Sequence, residues 1–121
     1  MEDMTQKIDA FKALGDPTRF RIIKLLSESG RQCVTALANR LEIAQPTISQ
    51  HLKILKVANL VAAERIGTHI HYHLQTSTLK ALSQQIDSFS ALPVLNEHPG
   101  EGCTSKDCRP PEKLSDTLPD P

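Results

Sequence analysis

Tryptophan is absent from this 121-residue chain, tyrosine occurs once and phenylalanine three times, so aromatics amount to 3%. That excludes a platform of rings on which the exposed bases of single-stranded nucleic acid could stack. No uninterrupted apolar run exceeds a few residues, which excludes a membrane-spanning helix and its need for about 20. The start, MEDMTQKIDAF, is acidic and has no apolar stretch of the kind a secretory signal requires. The expected compartment is therefore the cytoplasm. Cysteine is scarce as well. Cys33, Cys103 and Cys108 make no disulfide framework in a reducing compartment, which turns attention to metal binding or redox sensing. There is no C-x-x-C, and the acidic residues are dispersed rather than gathered into an acid/base constellation, so no enzyme is expected.

What is present suits one modest domain, with 39% hydrophobic residues and a chain short enough that self-association would help stabilise it. A net charge of zero hides a division. Residues 1–92 carry eleven basic and eight acidic residues, whereas residues 93–121 carry three and six. Within residues 15–75 the balance is eight to four, with four of the five histidines in the same window, so an anionic partner or an ordinary solvated surface both fit. From Pro93 onward, five further prolines, two glycines and scattered acids predict a flexible tail over 93–121 behind a folded domain over 1–92.

Met4, Ile8 and Phe11 recur at helical spacing, with Leu14 and a stop at Gly15. A second helix is announced by Asp16 as N-cap and Pro17 in the first turn, ends before Gly30, and has Phe20, Ile23 and Leu26 as its expected buried stripe. CVTALANRLEI predicts a third helix buried through Val34, Leu37 and Leu41. A fourth begins behind Gln45, where Pro46 again suits a first turn. On it Ile48, Leu52, Leu55 and Asn59 fall within about 60° of one another, while Thr47, Ser49, Gln50, His51, Lys53 and Lys56 sweep the rest of the circumference, interrupted by Ile54 and Val57. A β-hairpin follows, turning at Gly67, with His69, His71 and His73 alternating against Ile70, Tyr72 and Leu74. The last helix carries Leu79, Leu82, Ile86 and Phe89 on one stripe, able to pack against its own domain or a partner copy.

Two short helices joined through EIAQ, the second polar on one side and followed at once by a hairpin, is the order of a winged helix-turn-helix, a mainly α fold with a small β-hairpin. Such a helix fits the roughly 12 Å major groove of double-stranded DNA. Gln50 would pair with adenine, Thr47 and Ser49 would contact bases or phosphates, and Lys53 would hold the backbone, with Arg65, His69 and His71 of the hairpin facing a neighbouring phosphate run. The alternative is a small helical bundle whose polar stripe is merely wet. Three histidines on one strand could also share an ion, since alternate residues lie only about 6.6 Å apart, but a strand that faces DNA favours phosphate contact.

The stretches ALGDPTRFRIIKLL, CVTALANRLEIAQPTISQHLKILKVANLV and RIGTHIHYHL, in that order, resemble the ArsR/SmtB family of metal- and metalloid-responsive bacterial repressors over about residues 8 to 90. The resemblance implies a dimeric winged helix-turn-helix held together largely by its first and last helices, which represses by occupying operator DNA and lets go when an inducer binds. Gln45 and His51 join the DNA-contacting set on the same ground, His51 as a helix or DNA contact or as a ring packed between helices. Symmetry then predicts two inverted half-sites roughly 34 Å apart.

Family patterns also bear on the inducer. Arsenic-responsive members often carry C-V-C-x-x-C at the start of the third helix, and here CVTALA keeps Cys33 but has Thr35 and Ala38 in the other two places. Zinc-responsive members use Asp-x-His and a later His-x-x-Glu on the last helix, where this chain has only Asp87, Ser88 and Phe89. Some arsenic-responsive relatives place cysteines just past the last helix, an arrangement that CTSKDC, from Cys103 to Cys108, resembles. Trivalent arsenic or antimony is satisfied by three soft thiolates and monomethylated arsenic by two. The chain between Leu92 and Cys103 spans roughly 35 Å when extended, enough to reach Cys33 in either protomer. The resemblance thus implies Cys33, Cys103 and Cys108 as ligands of a trivalent arsenical inducer, with no obligatory cofactor. Two alternatives remain open: a disulfide or polysulfide switch built from the same thiols, and, in another class, a thiol-based metalloid buffer. Cys33 could also be a small buried apolar residue.

Overall fold

A computed structural model describes residues 4–91. Two units divide the chain, Met1–Asp87 and Ser88–Pro121, and the described part of the second is the last turn of one helix and Ala91. The expected tail, with Cys103 and Cys108, lies outside the described residues.

Helix α1 spans Met4–Leu14 and α2 spans Pro17–Ser29. Asp16 starts α2 as the sequence predicts, its carboxylate accepting the backbone N–H of Thr18 at 2.9 Å and of Arg19 at 3.0 Å. Two donors that the first turn leaves without helical partners are satisfied in this way. At the other end Gly30 takes φ 79°, a conformation cheap only for glycine, and donates to the Leu26 carbonyl. Strand β1, Gln32–Cys33, leads into α3, Val34–Leu41, and α4 follows over Gln45–Val57. Strands β2, Val61–Ile66, and β3, His69–Leu74, form the hairpin, and α5 runs from Thr76 to Ser90. Gly67, with φ 64°, occupies the first of the two loop positions, which fits a type II′ turn.

The sheet is antiparallel with order β1-β3-β2, one strand more than the expected hairpin. Two residues are too short to leave a periodic signal, and Gln32 and Cys33 become a strand because β3 offers them a free edge, pairing Gln32 with Tyr72 and Cys33 with His71. Cys33 is accordingly the N-cap of α3 rather than part of it, and makes no side-chain cap hydrogen bond. Gln45 is the first residue of α4, with Ala44 as its N-cap.

Ile22, Leu37, Ile48, Leu52, Leu55, Leu60 and Val61 are fully buried and knit α2, α3 and α4 to the start of the wing. One expectation fails at the edge of this core. Phe20 is 58% exposed, because Ile22 joins Ile23 and Leu26 in the buried stripe of α2 and rotates it away from Phe20. Met4 and Ile8 on α1 are exposed, and α5 buries Leu82 alone, leaving Ile86 and Phe89 in solvent. No helix among the described residues is long and apolar enough to cross a membrane.

Candidate nucleic-acid interface

Helix α4 is anchored by Ile48, Leu52 and Leu55, all at 0% exposure, at the i, i+4, i+7 spacing that puts them on one side. The opposite side therefore faces out. Thr47, Ser49, Gln50 and Lys53 are exposed there, as the sequence predicts, and supply hydroxyl, amide and ammonium groups along one helix face. Such groups match base-edge donors and acceptors and phosphate oxygens. Ile54 and Val57 interrupt the polar surface and are exposed with it.

The start of α4 is set by the turn before it. Glu42 closes α3 in the left-handed region, φ 59° and ψ 46°, and the chain needs only Ile43 and Ala44 before α4 begins. Gln45 does not simply point outward, because its amide donates to the Thr35 hydroxyl at 3.2 Å and ties the first turn of α4 to α3. His51 is 20% exposed and lies on the flank of α4 that faces the start of α2, where Nη1 of Arg19 donates to its Nδ1 at 3.2 Å. His51 thus makes a contact to a neighbouring helix. Arg19 was not singled out in the sequence. The D-P-T-R motif that contains it was the available signal.

On the wing, register divides the expected phosphate-facing set. Directly paired residues in an antiparallel sheet share a face, and Arg65 pairs with Ile70, whereas Glu64 pairs with His71 and Ile66 with His69. Arg65 therefore projects from the face opposite His69 and His71, and the three do not form one row. His69 and Arg65 are exposed near the tip, but His71 is half-buried with its Nδ1 enclosed and unpartnered. Cys33 continues the row, since it also pairs with His71, so Cys33, His71 and Glu64 lie in line across the three strands on the face away from Tyr72 and Leu74. Cys33 is a half-buried free thiol. Arg31, just before β1, reaches Glu64 at 3.7 Å across the same face. Among the described residues no group of three His, Cys, Asp or Glu is arranged to hold a metal ion.

One ionisable group of the site is clearly perturbed. The Arg19 backbone N–H holds the Asp16 carboxyl below its usual range, the Arg19 charge, the Thr18 N–H and His51 act in the same direction, and burial opposes them.

Residues 16–63 match the profile of the bacterial regulatory proteins of the arsR family. The chain is 42% identical over 87 residues to an uncharacterised HTH-type transcriptional regulator of Methanocaldococcus jannaschii, covering 72% of this chain and 98% of that protein. It is 43% identical over 67 residues to the arsenical resistance operon repressor of Escherichia coli, covering 55% of this chain and 57% of the repressor. Its fold is similar to that of the homodimeric winged helix-turn-helix DNA-binding domain of a possible ArsR-family regulator from Mycobacterium bovis, with a TM-score of 0.61 and 28% identity over 78% of this chain and 89% of the other. With the polar face of α4, the wing beside it and these likenesses together, the chain belongs to the arsR family of bacterial regulatory proteins and is a DNA-binding transcriptional regulator, not an enzyme.

Proposed function

We propose that the protein is a cytoplasmic, homodimeric repressor that occupies an inverted-repeat operator and is released when a trivalent arsenical, arsenite, antimonite or methylarsenite, binds its thiolates. The exposed face of α4 carries the DNA part of this reading, with Thr47, Ser49, Gln50 and Lys53 opposite a fully buried stripe. The dimer is supported by α5, which buries one residue of its own, and by the homodimeric relative. The arsenical part rests on the likeness to the arsenical resistance operon repressor of E. coli and on the position of Cys33. That thiol ends β1 and is the N-cap of α3, so it sits between a strand paired to the wing and the first helix of the helix-turn-helix.

The described residues supply one soft ligand. A two- or three-thiolate site needs Cys103 and Cys108, which lie outside them. Release requires the inducer to favour one geometry of the dimer, at typical coupling energies of about 1 to 3 kcal/mol, or roughly 5- to 150-fold in operator affinity. The test is a gel shift with the DNA upstream of the protein's own gene. Wild type should bind with strong salt dependence and dissociate on adding arsenite, while Cys103→Ser/Cys108→Ser should bind equally and fail to dissociate. A double variant that still responds normally to arsenite refutes the thiolate site, and absence of specific binding refutes the repressor.

A further inference from the structure

Arg19 touches three helices at once. Its backbone N–H is held by the Asp16 carboxylate in the first turn of α2. Its Nε donates to the carbonyl of Ala13, in the last turn of α1, at 2.8 Å. Its Nη1 meets Nδ1 of His51, in the middle of α4, at 3.2 Å. The planar guanidinium fork suits a bridge of this kind because its donors leave in fixed, different directions. The bridge also stands where apolar packing is incomplete. Along this flank α1 and α4 leave an open groove of about 410 Å³, lined by Lys12, Ala13, Arg19, Lys53 and Ile54 among others. Ala10 and Ala13 of α1 are buried in the core beside this gap, and Arg19 adds a polar contact between α1 and α4 along it.

The chemistry of the contact is one-sided. A guanidinium has donors and no acceptor, so Nη1 of Arg19 donates and Nδ1 of His51 accepts across the 3.2 Å contact. Oδ2 of Asp16 lies 3.9 Å from the same nitrogen. Asp16 and Arg19, from the start of α2, are the charged groups that face the ring. Asp9 and Lys12 of α1 and Lys53 of α4 stand along the groove that Arg19 borders.

We propose that Arg19 is a positioning residue for operator binding: through His51 it ties α1 to α4 and holds α4 in its DNA-binding orientation. The proposal rests on α4 being the helix that reads the operator. It implies that Arg19 and His51 support operator affinity without a DNA contact of their own.

The experiment uses the full-length protein and the DNA upstream of its own gene, with affinities measured over a range of salt. His51→Leu, which removes the acceptor, should lose roughly tenfold in affinity with the salt slope unchanged, because no phosphate contact goes with it. His51→Asn returns an acceptor near the place of Nδ1 and should recover most of that loss. Arg19→Lys, which keeps the charge without the fork, should behave as His51→Leu does. A His51→Asn variant that binds no better than His51→Leu overturns the proposal, as does a salt slope that falls by about one in His51→Leu, since His51 would then contact a phosphate directly. Lys53→Ala separates the underlying assumption. It should lower both affinity and slope, and if it changes neither, the reading role of α4 fails and the proposal with it.

Discussion

Replacing Ile86 by alanine should weaken the proposed dimer without unfolding the protomer. Of the fifteen residues of α5 only Leu82 is buried, and Ile86 is 52% exposed. On α1, which α5 meets through the Lys7 ammonium donating to Gln85 at 3.2 Å, Met4 and Ile8 are exposed at 55% and 47%. Apolar residues so placed on adjoining helices are unusual on a surface that stays wet. Full burial of an isoleucine is worth about 1.5 to 3 kcal/mol, so covering its exposed half should contribute about 1 kcal/mol per protomer. Two-fold symmetry doubles this, giving about 2 kcal/mol and roughly a 30-fold rise in the dimer dissociation constant. Sedimentation equilibrium measures that constant, with circular dichroism as the check on folding and Val57→Ala as the control. Val57 is 80% exposed but lies on α4. A shift of less than about threefold in Ile86→Ala, or an equal shift in Val57→Ala, would falsify the assignment of this face to the dimer.

Gln50→Ala should cost about 1 to 3 kcal/mol at the operator and relax preference at one base position, whereas Lys53→Ala should weaken all sequences alike and lower the salt slope by about one, both readable by anisotropy titration. Glu42→Gly should stabilise the protein by about 0.5 to 1 kcal/mol in urea unfolding, since glycine takes φ 59° without the left-handed penalty and gives back part of the gain as unfolded-state entropy. Leu52→Ala should destabilise by about 2 to 5 kcal/mol, as expected for a side chain at 0% exposure in the centre of the core. Asp16→Ala should lower the melting temperature at neutral pH. Because the folded pKa of Asp16 lies below its unfolded value, its contribution is present above the unfolded value and disappears as pH falls through the folded one, so the two melting curves should converge in acid.

The helices were legible because their signals are local. Asp16 and Pro17 at one end of α2 and Gly30 at the other are choices that chain geometry alone rewards, and the Ile48, Leu52, Leu55 stripe fixes which side of α4 is wet. What the sequence hid depends on partners distant along the chain. β1 exists only because β3 presents an edge to Gln32, forty residues away. The division of Arg65 from His69 and His71 follows from the two-residue loop, which pairs Ile66 with His69, so Arg65 can only oppose Ile70. Phe20 and Ile22 both fit a helical stripe around Ile23 and Leu26, and packing against α3 and α4 decides between them. The Arg19 bridge shows the same limit. An arginine early in a helix reads as surface charge until the carbonyl of Ala13 and the ring of His51 are seen within reach.

These contacts also bear on how little force would be needed to move α4. Its first turn is tied to α3 by Gln45 and Thr35, its middle to α1 and α2 by His51 and Arg19, and Leu60, just past its end, accepts from the backbone N–H of Gln75 beyond the wing. Hydrogen bonds of this kind contribute about 0.5 to 1.5 kcal/mol each, more where a charged group takes part. That is the same range as the 1 to 3 kcal/mol by which an effector ordinarily biases a two-state protein. Cys33 is two residues before Thr35 and directly across from His71. A ligand that drew Cys33 even slightly out of line would therefore act on the first of these ties and on the wing together. The apolar core beneath α4, at 0% exposure, would keep the helix intact while its orientation changed.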